Sequence, residues 1–206
     1  MPPLPLVTGG SRGLGRNTAL SIARKGGDVL ITYRSRADAA DAVIAEIEAL
    51  GRKACALQLD MSEPSRFPAF ADSVKAALQE TWNRSSLDHL VNNAGEGINV
   101  PLAEIREAQF VTLFSVHVKG PLFLTQALLP LIADGGRIVN ISSGLTRFTY
   151  PGYGAYAAAK GAVEVLTRYM AKELGPRGIS VNTVAPGAVE TDFGGGAVRD
   201  TPGLNQ

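Results

Sequence analysis

The sequence predicts an α/β fold: a doubly wound, mostly parallel sheet with helices on both faces, forming a single domain over residues 1–206. Three observations carry this. Short apolar runs alternate with longer stretches of helical periodicity along the chain. Two of the runs, Leu87-Asp88-His89-Leu90-Val91 and Arg137-Ile138-Val139-Asn140-Ile141, are largely continuous in apolar character, as strands covered on both faces are. The first run passes directly into a glycine-rich segment and then a helix, the arrangement that opens a phosphate-binding crevice in such sheets.

The first strand is expected within Leu4–Thr8, at or after Pro5, because proline lacks the N–H that an interior ladder needs. A helix over 13–26 follows. The next pairs are Val29–Tyr33 with a helix at 37–50, then Ala54–Asp60 with a helix at 65–82. Leu87–Asn92 leads into a long helical pattern at 103–133, expected to break near Phe110. Arg137–Ser142, a helix at 154–175 and Ile179–Ala185 complete the alternation, and Gly194-Gly195-Gly196 opens a tail without regular pattern.

Composition narrows the function. The chain of 206 residues is 45% hydrophobic and 19% charged, ordinary for a globular protein with a substantial core. A net charge of +1 with no basic run gives no electrostatic case for nucleic acid or an anionic membrane. Cys55 stands alone, so no intrachain disulfide is expected, and no Cys/His cluster suggests a metal. The N-terminus lacks the charged and apolar regions of a signal peptide, and no apolar run reaches membrane-spanning length. A cytoplasmic location is the default expectation.

The glycine segment reads Thr8-Gly9-Gly10-Ser11-Arg12-Gly13-Leu14-Gly15. Glycines at a strand-to-helix junction let the backbone approach a pyrophosphate, and the helix behind supplies unpaired N–H groups. No Gly-Lys-Ser/Thr follows, so this is not a Walker loop. The competing interpretation is a tight turn without a ligand. Sites for NAD place an acidic residue about 20 residues further on, against the ribose 2′-hydroxyl. Here Tyr33 stands at that distance from Gly13 and Arg34 follows. A guanidinium there would pair with a 2′-phosphate, and Arg12 can reach the same group, so NADP(H) is expected rather than two idle surface arginines. Asp60, at the end of the third strand, would lie at the adenine edge.

Tyr156 and Lys160 are spaced i,i+4, on one face of a helix, with Ser143 at the carboxyl end of the preceding strand. An ammonium beside a phenol favours the phenolate, so the tyrosine pKa is expected to fall. A phenol tuned this way can exchange a proton near neutral pH.

With these residues in view, the chain resembles the short-chain dehydrogenase/reductases, of the 3-oxoacyl-carrier-protein reductase type. Four motifs carry the resemblance: Thr8–Gly15, Asn92-Asn93-Ala94-Gly95, Ser143 with Tyr156-x-x-x-Lys160, and Pro186-Gly187 followed by Thr191. The resemblance implies a Rossmann-like fold and an NADPH-dependent reduction of a ketone or 3-oxoacyl-type carbonyl to a secondary alcohol, or the reverse. It implies Tyr156 as acid/base, Ser143 as donor to the substrate oxygen, and Lys160 on the nicotinamide ribose. The implied coenzyme contacts are Gly9, Ser11, Arg12, Gly13, Leu14, Gly15, Arg34, Asp60, Met61, Asn93, Ala94, Gly95, Tyr156, Lys160, Pro186, Gly187, Val189 and Thr191. A homo-oligomer, dimer or tetramer, is implied as well, with Leu122, Phe123, Val163 and Leu166 among the candidate apolar interface positions.

Two departures qualify it. His117 occupies a place where the family usually has asparagine, either filling space or joining a proton relay with a near-neutral pKa. The chain also ends at Gln206, where the family usually continues into a substrate lid and another strand, so that part of the fold is expected to be absent. These departures motivate the alternative of a non-catalytic dinucleotide-binding sensor or partner subunit.

Overall fold

A computed structural model describes residues 2–191, 193–196 and 200. Its centre is one six-stranded parallel sheet: β1 (Pro5–Val7), β2 (Val29–Tyr33), β3 (Ala54–Gln58), β4 (Leu87–Asn92), β5 (Ile132–Ile141) and β6 (Ser180–Val184). The strand order is β3-β2-β1-β4-β5-β6, and every neighbouring pair is parallel. This is the Rossmann-like doubly wound order, which reverses direction between β1 and β4.

The helices are α1 (Gly13–Arg24), α2 (Ala37–Ala49), α3 (Phe67–Trp82), α4 (Glu107–Phe114), α5 (Gly120–Leu128) and α6 (Gly154–Leu174). They divide between the two faces because successive strand residues point opposite ways. Val7, Val29 and Ile31 face α1 and α2, through Ala19, Leu20, Val43 and Ile47. Leu6, Leu30, Leu90 and Ile138 face the other layer, through Phe67, Val74 and Leu78 of α3, Leu124 and Leu128 of α5, and Met170 of α6. β1 opens on Pro5, where the missing N–H costs least.

The 103–133 segment departs from the expected single broken helix. Helix begins only at Glu107, a π turn occupies Ser115–Lys119, and α5 follows. The interruption lies past Phe110 and has a covalent cause in Pro121. In an α-helix Pro121 would leave the His117 carbonyl without its donor and press its ring against it. The chain takes a wider turn just before this proline, with the Gly120 amide donating to the Ser115 carbonyl oxygen. Residues 132–133 belong to β5 instead. That strand starts early: Leu87 pairs with Ile132 and His89 with Arg137, so a bulge containing Gly135 intervenes. Residues 193–196 form one 3-10 turn, and the rest of the expected tail apart from Asp200 lies outside the described residues. Among the described residues no helix is long and apolar enough to cross a membrane.

Candidate active site

The carboxyl ends of β1, β4, β5 and β6 build the site. β1 runs into the glycine loop, where Gly9 takes φ 65°. Its amide donates to Thr32 Oγ1 at 3.1 Å, and the Gly10 amide donates to the Thr32 carbonyl at 2.8 Å. A Cβ at Gly15 would collide with the Gly9 carbonyl oxygen and the Asn93 amide, so only glycine lets α1 begin this close to the loop. Asn93 clamps the loop in turn: its Nδ2 donates to the carbonyls of Thr8 (2.9 Å) and Gly9 (3.3 Å). Thr8 Oγ1 accepts from the amides of Asn93 and Ala94, both at 2.9 Å.

The start of α1 is suited to an anion. Its N-cap, Arg12, makes no side-chain cap, and no acidic residue lies in the first turn. Its first amides therefore keep their donors open, beside the loop. Thr191 comes over this end, within 3.8 Å of where a Cβ on Gly13 would stand. The Pro186 carbonyl accepts from the Gly144 amide at 2.8 Å, which brings the segment after β6 beside Ser143. Val189 is exposed nearby in sequence, and nothing crowds Gly187. These residues fit a dinucleotide pyrophosphate.

The adenosine side is less uniform. Arg34 is exposed and pairs with Glu96, Nη1 to Oε2, at 3.5 Å. Asp60 accepts from the Ser62 amide (2.8 Å) and hydroxyl (2.7 Å). Burial pushes its pKa up, but these bonds and the nearby Arg34 hold it below the ordinary range. Met61 is buried in the core against Gly120, so only its main chain is free for a ligand. On the loop, Arg12 and Leu14 are exposed and Ser11 is half-buried.

Ser143, Tyr156 and Lys160 converge as expected. Ser143 Oγ accepts from the Leu145 amide at 3.2 Å, which leaves its own proton to donate. Tyr156 and Lys160 sit one turn apart on α6, both buried, with Nζ 5.6 Å from the phenol ring centroid. Lys160 Nζ donates to the Ile141 carbonyl at 2.7 Å. Burial lowers its pKa to about 8. The Tyr156 pKa moves opposite to the sequence expectation. Burial raises it to about 12, outweighing the Ser143 hydroxyl that favours the phenolate.

His117 is buried to 1% exposure. Its Nε2 lies 2.7 Å from the Glu96 carbonyl oxygen, and its ring meets Tyr156 edge-on at 5.2 Å. Nδ1 is buried without a hydrogen-bond partner among the described residues. Burial, with the Lys160 charge adding to it, drives its pKa to about 3, so it stays neutral and does not titrate near pH 7. Of the two alternatives, a near-neutral relay group is the one this environment opposes. Gly95 is required beside it, since a Cβ there would stand 2.6 Å from His117 Cε1.

The site contains residues the sequence did not single out. Glu164 accepts from Ser142 Oγ (2.8 Å) and Thr146 Oγ1 (2.9 Å), bracing both sides of Ser143. Its position, i+4 from Lys160 and i+8 from Tyr156, was the available signal. Beneath the site, Asn92 Nδ2 donates to Asn140 Oδ1 (2.8 Å), and Asn140 Nδ2 donates to Thr167 Oγ1 (2.8 Å), tying β4, β5 and α6 together. Phe193 packs on the Tyr156 ring at 5.6 Å, and nothing in its sequence surroundings marked it.

The short chain dehydrogenase family matches residues 4–201 of this chain. The chain belongs to that family. Among its relatives, a 3-oxoacyl-[acyl-carrier-protein] reductase of Synechocystis sp. is 39% identical over 191 residues, covering 91% of this chain and 74% of the relative. A short chain dehydrogenase of Burkholderia cenocepacia J2315, solved in complex with NADP, superposes with a TM-score of 0.87 at 40% identity, covering 98% of this chain and 79% of that one. The angucycline C-6 ketoreductase LanV, solved with bound NADP, gives a TM-score of 0.91 at 35% identity, covering 98% and 78%. This short-chain dehydrogenase thus spans about three quarters of the length of these relatives.

Proposed function

We infer that this short-chain dehydrogenase is an NADP(H)-dependent carbonyl reductase, converting a ketone or 3-oxoacyl-type carbonyl to a secondary alcohol, or running the reverse. The observation that carries the reading is the convergence of Ser143, Tyr156 and Lys160 at the carboxyl ends of β5 and β6, next to an uncapped helix N-terminus. NADP-bound relatives and the position of Arg34 support the coenzyme.

The amides of Gly13, Leu14 and Gly15 would hold the pyrophosphate, Arg12 and Arg34 the 2′-phosphate, and Val189 and Thr191 the carboxamide end. When bound, the nicotinamide supplies or accepts the hydride. The chain's own residues do the rest. A phenol with a pKa of about 12 keeps its proton at neutral pH and can deliver it from Oη to a carbonyl oxygen gaining negative charge. The Ser143 hydroxyl, which accepts from Leu145, donates to the same oxygen. Lys160 places a positive charge behind the phenol ring, which stabilises the phenolate left after transfer. Phe193 and the buried His117 ring restrict water around Tyr156.

The apolar side chains exposed on α4 and α6, Phe110, Val111, Val165 and Tyr169, support a homo-oligomer. Of the positions expected from sequence, Phe123 is exposed, Leu122 and Leu166 are half-buried against the protomer's own core, and Val163 is buried. The deciding experiment is Tyr156→Phe. Turnover of a ketone panel with NADPH should fall by at least about 100-fold, with the Kd for NADPH little changed. Retained turnover would reject the mechanism.

A further inference from the structure

The carboxyl ends of β2, β1 and β4 stand side by side in that order. Arg34 directly follows β2, and Glu96 follows β4. Their 3.5 Å ion pair therefore passes over the end of β1, where that strand enters the glycine loop. It crosses the crevice at the point where the strand order reverses, which is where ligands of such sheets bind.

Glu96 is not a loose surface acid. His117 Nε2 lies 2.7 Å from its carbonyl oxygen and 3.4 Å from its amide nitrogen, fixing its main chain. Its side chain is 30% exposed while that of Arg34 is 61% exposed. One carboxylate oxygen, Oε1, is buried with no hydrogen-bond partner among the described residues. The pair is thus a single long contact with an unsatisfied oxygen, a weak hold on the guanidinium. A second carboxylate, Asp60, feels the charge of Arg34 from the β3 side.

We propose that Glu96 competes internally for Arg34 and is a coenzyme-specificity determinant of this protein. A coenzyme carrying a 2′-phosphate binds by taking the guanidinium from Glu96. A coenzyme with a 2′-hydroxyl has no charge to offer in exchange and leaves the pair in place. Phosphate wins because it presents several charged oxygens in the fork geometry of arginine, against one contact at 3.5 Å. The exchange reduces NADP(H) affinity without abolishing preference, since a part-exposed ion pair is worth at most a few-fold in an equilibrium. This inference rests on the NADP(H) reading of Arg34 given above.

Calorimetric titration of the full chain with NADPH and with NADH tests it, for wild type, Glu96→Gln, Arg34→Ala and the double variant. Glu96→Gln should tighten NADPH binding by about two- to fivefold and shift NADH by less. The gain should vanish when Arg34 is absent. Glu96→Ala, with an unchanged melting profile, should move NADPH in the same direction and guards against a special effect of glutamine. Unchanged NADPH affinity in both Glu96 variants overturns the proposal. So does an equal gain with and without Arg34, which would mark simple repulsion of the phosphate. A wild type that binds NADH as tightly as NADPH overturns the coenzyme reading, while coupling in the Glu96–Arg34 cycle still decides whether the carboxylate competes.

Discussion

Replacing Lys160 with methionine should stabilise the protein at neutral pH while removing turnover. Lys160 is 5% exposed; its ammonium donates to the Ile141 carbonyl and has no carboxylate partner among the described residues. Burial lowers its pKa from the ordinary 10.5 to about 8. At about 1.4 kcal/mol per pKa unit, the charged form is disfavoured by about 3 kcal/mol. Methionine keeps a long flexible chain without the charge. Against the gain stands the Ile141 carbonyl, which loses its donor at a cost of about 1–2 kcal/mol. The net gain of about 1–2 kcal/mol should raise Tm by about 2–8 °C in a chain of this size. The pH dependence identifies the cause. Between about pH 8 and 10.5 the folded wild type binds fewer protons than the unfolded chain, so its stability rises with pH across that window. The advantage of Lys160→Met is therefore full at pH 7 and shrinks as pH climbs past 8. Tyr156 acts in the opposite sense between about pH 10 and 12, where the folded state binds more protons, and both proteins share that effect. Calorimetry of the two at pH 7, 8, 9 and 10, without coenzyme, makes the comparison. A lower Tm for Lys160→Met at pH 7, or a gap that stays constant to pH 10, would refute the assignment of the shift to burial.

Two further outcomes follow from the imidazole at position 117. Gly95→Ala drives a methyl to 2.6 Å from His117 Cε1 and should cost about 1–3 kcal/mol, read as a Tm loss of about 2–12 °C. Adding His117→Ala should recover part of that loss, and strict additivity of the two would show that the clash is not the cause. Because the His117 pKa falls to about 3, the folded state binds fewer protons than the unfolded chain between about pH 3 and 6.5. Stability should then decline as pH drops below 6.5, and His117→Asn should show a shallower decline in Tm from pH 6.5 to 4. Parallel declines would mean the imidazole charges without penalty in the fold.

The strands Val29–Tyr33 and Leu87–Asn92 were legible to the residue because both are short runs bounded by charged or glycine-rich segments. The glycine loop and the Ser143–Tyr156–Lys160 set were legible because their order and spacing are local properties of the chain. The long helix was misjudged at both ends, since apolar spacing continues through the loop before Glu107 and into β5. Its interruption was also written in the sequence, in Pro121 four residues after His117, but periodicity hides a single missing donor. The tyrosine pKa was not legible. Spacing gives an ammonium as neighbour, yet the sign depends on how deeply the rest of the chain buries the phenol, and that is a tertiary quantity. Glu164 and Glu96 were missed for a related reason: an acidic side chain on a helix or loop looks solvated until the fold supplies its partner.

His117 shows how one unexpected residue reorganises what surrounds it. The π turn ahead of Pro121 contains His117, whose imidazole is buried, and Gly95 leaves room for it. One side of the ring then lies against Tyr156, and Nε2 fixes the main chain of Glu96, whose carboxylate reaches Arg34. A side chain that is neutral at every physiological pH thereby contacts the residue proposed to move the proton and anchors the residue proposed to compete for the coenzyme. Space-filling and function are not alternatives at this position. Because the ring is large, neutral and held at Nε2, it can do mechanically what a titrating group could not do in so dry a place: hold both ends of the crevice in fixed relation.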